Sequence, residues 1–278
     1  MLKWVLSDYH TIRYETGSME ALTDLQWVEF ESTGFVRLGK VFGDDHVPAL
    51  QERIDRIMLG EADVPYGRML MQLDSQSGAV ADAGPQTNGH KGSTLNYRKI
   101  QDLEHDPLFL AYIQLPLFRD VCARIYGEGA AIAVFRSMFM NKPAGRGTFL
   151  PWHQDRWRVL ERDPVLTIYT AMDPATRENG CMQIIPGSHN RGVINPESGS
   201  GFLTEAQTAE HCSPEQIVYV EMTPGEVMLL HNLVLHASDV NRSEQSRRAF
   251  SVCYMDAATR DVRDVTYSVV FGENALTP

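Results

Sequence analysis

The stretch PWHQD at residues 151–155 sets the imidazole of His153 two positions before the carboxylate of Asp155. Residues two apart on a strand point to the same face, so these two side chains can reach one ion together. A His-x-Asp pair is common by chance, and alone it is more typical of a surface strand with a hydrogen-bonded pair. The interpretation as a metal site therefore depends on a third ligand.

His236 is that third ligand candidate, about eighty residues later in the stretch LHASDVN at 235–241. Two histidines and one carboxylate leave open positions on a metal ion, which is the ligand set of oxygen-activating non-haem iron(II) sites. A 2-oxo acid fills two of these positions and dioxygen the third. We therefore predict iron(II), 2-oxoglutarate and dioxygen as cofactors, with His153, Asp155 and His236 as the catalytic metal ligands.

The far carboxylate of 2-oxoglutarate needs a fixed cation, and Arg247 stands eleven positions after His236. A planar guanidinium with forked donors binds a carboxylate better than a lysine does. We predict that Arg247 binds this carboxylate, with the Ser238 hydroxyl as a second donor.

Composition limits the class of protein. The 278 residues are 43% hydrophobic and 22% charged, which is ordinary for one globular domain, and the net charge of −11 argues against general nucleic-acid binding. No stretch approaches the roughly 20 apolar residues of a membrane span, and Asp8, His10, Arg13 and Glu15 interrupt any signal-peptide core. We expect a cytoplasmic enzyme acting on a small molecule, with no membrane or nucleic-acid partner. The four cysteines are predicted to be reduced thiols.

Three zones follow along the single predicted domain of residues 1–278. Residues 1 to about 130 favour supporting helices, one after Asp45 ending at Gly60 and one from about Pro116 to Gly127, with a Gly- and Ser-rich lid loop at 74–94. From about 131 to 256, short β runs alternate with turns, which indicates a barrel or jelly roll. The runs are 132–141, 165–172, 181–185, 217–221, 226–231 and 250–255. Residues 257–278 suggest a last strand at about 265–271 and a tail.

The chain resembles the phytanoyl-CoA dioxygenase family of iron(II)- and 2-oxoglutarate-dependent oxygenases, in its bacterial small-molecule branch. The resemblance spans about residues 136–256, with a weaker part near 34–36. The ordered pieces that carry it are PWHQD at 151–155, YTAMD at 169–173, ENGC at 178–181, IPGSH at 185–189, HAS at 236–238 with Asn241, and RRA at 247–249.

The resemblance implies a double-stranded β-helix, or jelly roll, and the same metal and cosubstrate residues as above. It also places Tyr169 where relatives often have an aromatic residue beside 2-oxoglutarate. Relatives commonly have Gln at the position of Arg136, so this residue is either a changed cosubstrate contact or an extra contact for an anion.

Other residues compete for these roles. His231 would face away from the site of His236 on a continuous strand, and His189 fits a hydrogen bond within a loop better than a metal. Arg248 should point away from Arg247. The remaining histidines, at 10, 46, 90, 105 and 211, are interpreted as surface residues. Two arginine groups, at 156, 158 and 162 and at 98 with Lys99, are either solvated faces or contacts for an anionic substrate.

The predicted activity is oxidation, foremost hydroxylation, of a small metabolite, coupled to decarboxylation of 2-oxoglutarate to succinate. Related halogenases lack the carboxylate ligand, whereas this chain keeps Asp155. Two alternatives remain open, a zinc hydrolase with the same ligands and a barrel that binds a metabolite without catalysis. The sequence does not identify the substrate, the choice among hydroxylation, desaturation, cyclisation and epimerisation, or the oligomeric state.

Overall fold

The computed structural model describes residues 21–278, so the predictions made for residues 8–15 lie outside the described residues. Thirteen strands are present in this part of the chain. In chain order, β1 to β13 are Phe35–Lys40, Leu70–Leu73, Thr87–Asn88, Tyr97–Gln101, Ile132–Lys142, Leu150–His153, Leu166–Ala171, Met182–Ile185, Val218–Val220, Glu226–His231, Leu235–Ser238, Arg247–Asp256 and Val269–Phe271.

The helices α1 to α5 are Asp24–Thr33, His46–Leu59, Pro107–Ile113, Pro116–Tyr126 and Glu205–His211. Local chemistry sets their limits. Thr23 and Gln26 form a capping box at the start of α1, and α2 ends at Gly60 in the left-handed conformation, where glycine is favoured. Helix α4 begins at Pro116 and ends at Gly127, as predicted.

Two antiparallel sheets build the body of the protein. The larger has the strand order β1-β10-β7-β12-β5-β4-β2-β3, with β13 also paired to β5, and the smaller has the order β6-β11-β8-β9. Buried residues such as Tyr169, Ile184 and Leu230 form one cluster between the sheets, while helices α1 to α4 pack on the other face of the larger sheet. This arrangement confirms the double-stranded β-helix that was predicted.

The N-terminal zone contains more than its predicted helices. Strands β1 to β4 extend the larger sheet at both ends, because β1 pairs with β10 and β4 pairs with β5. Among the predicted β runs, β10 has the expected bounds, β12 begins earlier at Arg247, and β13 is shorter. The loop at 74–94 contains only β3 and one short helical turn, and its residue Gln86 reaches the central cavity. The division into three zones remains a prediction.

Two further expectations concern the cysteines and membrane spans. All four cysteines are buried and free, in agreement with the prediction of reduced thiols. Within residues 21–278, no helix has both the length and the apolar character that crossing a bilayer requires.

Candidate metal centre

The two histidines of the candidate centre are cross-strand partners in the smaller sheet. His153 is the last residue of β6 and His236 is the second of β11, and their Cα atoms are paired in the antiparallel register. Their ring centroids are 4.0 Å apart. Residues directly opposite one another in adjacent strands present their side chains on the same face, so both imidazoles point into the space between the sheets.

Asp155 completes the group. One carboxylate oxygen, Oδ1, lies 3.8 Å from His153 Nε2, and the other, Oδ2, lies 3.8 Å from His236 Nε2. One donor atom from each of the three residues falls within 4.8 Å of the others. Three nitrogen and oxygen donors that converge from one side fit a single transition-metal ion and leave the opposite side open.

The hydrogen bonds of both rings prepare Nε2 for a metal. His153 Nδ1 lies 2.8 Å from the Pro151 carbonyl oxygen, and His236 Nδ1 lies 3.1 Å from that of Val234. A carbonyl oxygen only accepts, so Nδ1 must donate and Nε2 keeps its lone pair. Burial, and then the nearby His236, lower the pKa of His153 to about 4, which keeps this imidazole neutral.

The sequence analysis placed His153 and Asp155 on one strand, but β6 ends at His153. Asp155 is held instead by its backbone N–H, which donates to the Asn232 carbonyl oxygen at 2.7 Å. The intervening Gln154 is buried and points away, donating from Nε2 to the carbonyl oxygens of Gly192 and Leu233. The donor atoms of His153 and Asp155 nevertheless lie on the same side, within reach of one ion.

Arg247, the first residue of β12, lies in a polar pocket behind the centre. It is 6% exposed, and its Nη1 donates to the Tyr169 hydroxyl oxygen at 2.8 Å. Its Nε is buried without a hydrogen-bond partner in the part of the chain that the structure describes. A buried guanidinium with an unused donor fits a ligand carboxylate, as 2-oxoglutarate would supply. Ser238 is buried and lines the same cavity.

That cavity has a volume of about 400 Å³ and lies between the two sheets. The three candidate metal ligands, Arg247, Ser238 and Tyr169 all line it. Further cations in its wall are Arg98, Lys99, Arg136 and Lys142, while Asp155 is the only carboxylate among the lining residues that the structure describes. Burial is the main reason that the pKa of Lys99 falls to about 7, and nearby arginines lower it further.

The structure separates the competing histidines from the centre. The ring of His231 packs against that of His189, with centroids 4.8 Å apart. His189 Nε2 lies 3.1 Å from the Glu31 carbonyl oxygen. Neither belongs to the metal group. The surface interpretation of the other histidines was wrong in detail, because those within the described residues, at 46, 90, 105 and 211, are half-buried.

The arginines that competed with Arg247 in the sequence lie outside the cavity. Arg248 points away from Arg247 and bonds Asp173 and Asp55, so its role is structural. Three arginines just after the metal motif lie outside the cavity and pair with acidic residues or with backbone carbonyls. They are Arg156 with Asp163, Arg162 with Asp256, and Arg158 with the Glu197 carbonyl oxygen.

Apart from Arg247, the arginines and lysines of the cavity received no firm role from the sequence. Arg98 and Lys99 are neighbours on β4, a strand that was not predicted, and its pairing with β2 is irregular between Gln72 and Leu73. A bulge turns consecutive side chains toward one face, which explains why both line the cavity. The sequence did offer one signal, because Arg136 and Lys142 are six positions apart in β5 and an even spacing puts two side chains on the same face of a strand.

Comparison with known proteins agrees with this geometry. The family model described as phytanoyl-CoA dioxygenase (PhyH) matches residues 30–249. A probable phytanoyl-CoA dioxygenase of Caenorhabditis elegans is 32% identical over 169 residues, which cover 56% of this chain and 53% of that protein. Phytanoyl-CoA dioxygenase domain-containing protein 1 of Mus musculus is 30% identical over 278 residues, covering 86% of this chain and 92% of that protein.

Among solved structures, EctD from S. alaskensis with bound Fe has a similar fold, with a TM-score of 0.67 at 20% identity. The superposition covers 93% of this chain and 89% of that one. At this identity the likeness concerns the fold alone. The family match, the mouse relative and the His-Asp-His donor set together show that this chain belongs to the phytanoyl-CoA dioxygenase family and is an iron(II)- and 2-oxoglutarate-dependent dioxygenase.

Proposed function

We propose that the enzyme hydroxylates a small organic metabolite, with His153, Asp155 and His236 as the ligands of iron(II). Arg247 and Ser238 bind the distal carboxylate of 2-oxoglutarate, and Tyr169 positions Arg247. The described chain acts as a single oxygenase domain in this proposal. When bound, iron(II) offers coordination positions for 2-oxoglutarate and dioxygen, whose reaction gives succinate and carbon dioxide and oxidises the substrate.

One observation carries this proposal. Three metal donors converge at one wall of a cavity, and a buried guanidinium with an unpartnered Nε, among the residues described, lines the same cavity. A zinc hydrolase would use the three donors but has no need of the buried Arg247. A barrel that only binds a metabolite needs neither the neutral His153 imidazole nor the carbonyl bonds that aim both Nε2 atoms inward.

The protein's own residues have three tasks here. The carbonyl acceptors of Pro151 and Val234 fix the imidazoles in the ligating tautomer. Asp155 fills the position that a halide would need, which favours hydroxylation over halogenation. Apolar lining residues, among them Met138, Met140 and Phe202, keep water away from the reacting groups.

The substrate class in this proposal is a polar or anionic small molecule rather than a nucleic acid or membrane lipid. The cations of the cavity wall support this choice. A cytoplasmic location is supported by the four free, buried thiols, because a reducing compartment preserves them.

The test is anaerobic addition of iron(II) and 2-oxoglutarate to metal-free protein. We expect a weak visible charge-transfer band with both additions, and succinate formation once dioxygen and substrate are supplied. His236→Ala should weaken iron binding by at least about 100-fold, since a first ligand matters no less than the outer-shell partners of ligands. Activity restored by zinc without 2-oxoglutarate would instead support the hydrolase.

A matched control is available in His211→Ala, which removes a histidine outside the cavity. This variant should retain the band. Full turnover by a His153→Ala variant would contradict the ligand assignment.

A further inference from the structure

Arg136 is a cavity cation that the proposed chemistry leaves without a role. It projects from β5, and its guanidinium carbon lies 4.7 Å from the ring centroid of Trp157 and 5.1 Å from that of Phe135. Stacking on two rings orients the guanidinium and reduces the conformational entropy that a ligand would otherwise have to remove.

This guanidinium has no anionic partner within the described part of the protein. No carboxylate in the described residues lies within salt-bridge distance of it, and the carboxylates whose charge acts on it are Asp155 first and Asp102 after it. Asp155 is committed to the two histidines, and Asp102 accepts from the Leu70 backbone N–H. Arg136 is half-buried in the cavity wall, and a guanidinium without a carboxylate partner there leaves its donors available to a ligand anion.

The register of the strands separates Arg136 from the cosubstrate pocket. Lys142 opposes Arg247 in the pairing of β5 with β12, whereas Arg136 opposes Cys253, six residues away on the same strands. Six residues of strand span about 20 Å. Met138 and Met140 line the cavity between these two positions. 2-Oxoglutarate, a five-carbon diacid held by Arg247, is much shorter than this span.

The balance of charge also calls for a second anion. Three arginines line the cavity, at 98, 136 and 247, against the single carboxylate of Asp155. With both lysines counted as neutral, three positive charges and two from iron(II) face one negative charge from Asp155 and two from 2-oxoglutarate. The sum is an excess of two positive charges. Asp74 lies close enough to act on Arg98 and Lys142, whereas the main carboxylate acting on Arg136 is Asp155.

We propose that Arg136 binds an anionic group of the substrate, a carboxylate or a phosphate, at the end of the cavity opposite Arg247. This inference rests on the proposed function, because it places the substrate relative to the cosubstrate. Arg98, oriented by a bond from its Nη1 to Gln72 Oε1 at 3.0 Å, lines the same cavity and adds to its positive potential.

The experiment uses enzyme loaded with iron(II) and 2-oxoglutarate under anaerobic conditions, titrated calorimetrically with three six-carbon probes. Hexanoate carries a carboxylate, hexyl phosphate carries a phosphate, and hexanamide is the uncharged analogue. We expect at least one anion to bind ten times more tightly than hexanamide. The tighter of the two anions identifies the class of group that the substrate carries.

Arg136→Met keeps an apolar stem against Trp157 but removes the charge. It should weaken binding of the preferred anion at least tenfold and leave 2-oxoglutarate affinity within twofold of wild type. Arg136→Lys should recover part of the loss. The control is Arg158→Met, which changes an exposed arginine outside the cavity and should alter neither affinity.

Equal binding of hexanamide and both anions would overturn the proposal, as would unchanged anion binding by a folded Arg136→Met protein. Thermal unfolding and the charge-transfer band establish that this variant is folded. The band also separates the two hypotheses, because a missing band in the wild type counts against the proposed function, whereas a normal band with no anion selectivity counts only against the role of Arg136.

Discussion

His153 and His236 face each other across one pair of antiparallel strands, although they are 83 positions apart in sequence. The third candidate ligand, Asp155, lies 3.8 Å from both imidazoles just beyond the end of the strand. The metal group therefore depends on the pairing of β6 with β11 and on the short segment that follows β6.

Tyr169→Phe removes the hydroxyl that accepts from Arg247 Nη1. We expect the KM for 2-oxoglutarate to rise about tenfold with little change in kcat, because a hydrogen bond to a charged group contributes about 1.5 kcal/mol or more. Steady-state kinetics with varied 2-oxoglutarate measure both constants. Tyr219→Phe, on a partly exposed tyrosine outside the cavity, is the control, and an equal effect in both variants would refute the positioning role.

Arg247 and Arg248 are adjacent, but we expect their substitution to affect different properties of the protein. Arg248→Met breaks ion pairs to Asp173 and Asp55, so we expect the free energy of unfolding to fall by roughly 3 kcal/mol. The protein that remains folded should bind 2-oxoglutarate normally. Arg247→Met should weaken 2-oxoglutarate binding by at least about tenfold with a smaller loss of stability. Urea unfolding and titration with 2-oxoglutarate measure both properties in both variants. If Arg248→Met lost 2-oxoglutarate binding and Arg247→Met lost stability, the binding and structural roles would have been assigned to the wrong arginines.

Gly201 packs against Gln154, the residue between the candidate metal ligands His153 and Asp155. It has a φ of +75°, and a Cβ there would lie 1.9 Å from the backbone carbonyl oxygen of Gln154. Gly201→Ala should therefore destabilise the protein by at least about 2 kcal/mol and weaken iron binding, because the ligand segment must move.

Gly199→Ala is the matched control for this glycine, since a Cβ at that position meets nothing within 4 Å. Its effect should stay within about 0.5 kcal/mol. Unfolding curves and iron titrations of both variants provide the measurement. Wild-type iron affinity in the Gly201→Ala protein would show that the ligand segment tolerates the displacement.

Acid should destabilise the metal-free protein. Burial is the main cause that lowers the pKa of His153 to about 4 and of His231 to about 4, from 6.5. Between pH 6.5 and pH 4 the two histidines bind protons in the unfolded chain but not in the folded chain. The contribution of the neutral histidines to the free energy of unfolding is therefore complete above pH 6.5 and is lost as the pH falls toward 4. His153 alone should account for roughly 3 kcal/mol of this loss.

Urea unfolding of metal-free protein at several pH values tests this. His153→Gln should show a shallower loss over the same range, because the side chain no longer titrates. A metal-free wild type whose stability rises on acidification from pH 6.5 would contradict the burial argument.

Much of the candidate site was predictable because its signals are local. The spacing of His153 and Asp155, and the serine and arginine that follow His236, lie in short stretches of sequence. Helix ends at Gly60 and Gly127 were predictable for the same reason, since a terminating glycine acts on its own turn.

The strands of the N-terminal zone were not predictable in this way. Strand β4 has only five residues, and it is a strand because it pairs with β5 and β2. Short strands gain little from intrinsic propensity and much from their neighbours. The cavity positions of Arg98 and Lys99 depend on this pairing and on its irregular register.

The sequence by itself determined which groups are available, namely two imidazoles, one carboxylate and a set of arginines in a family-like order. Only the tertiary structure decided which arginines face the cavity. Arg247 and Arg136 line it, while Arg248 and Arg156 are bound to aspartates outside it. The reason is that the direction of a side chain in a sheet follows from strand register and bulges, and these are set by pairing between segments far apart in the chain.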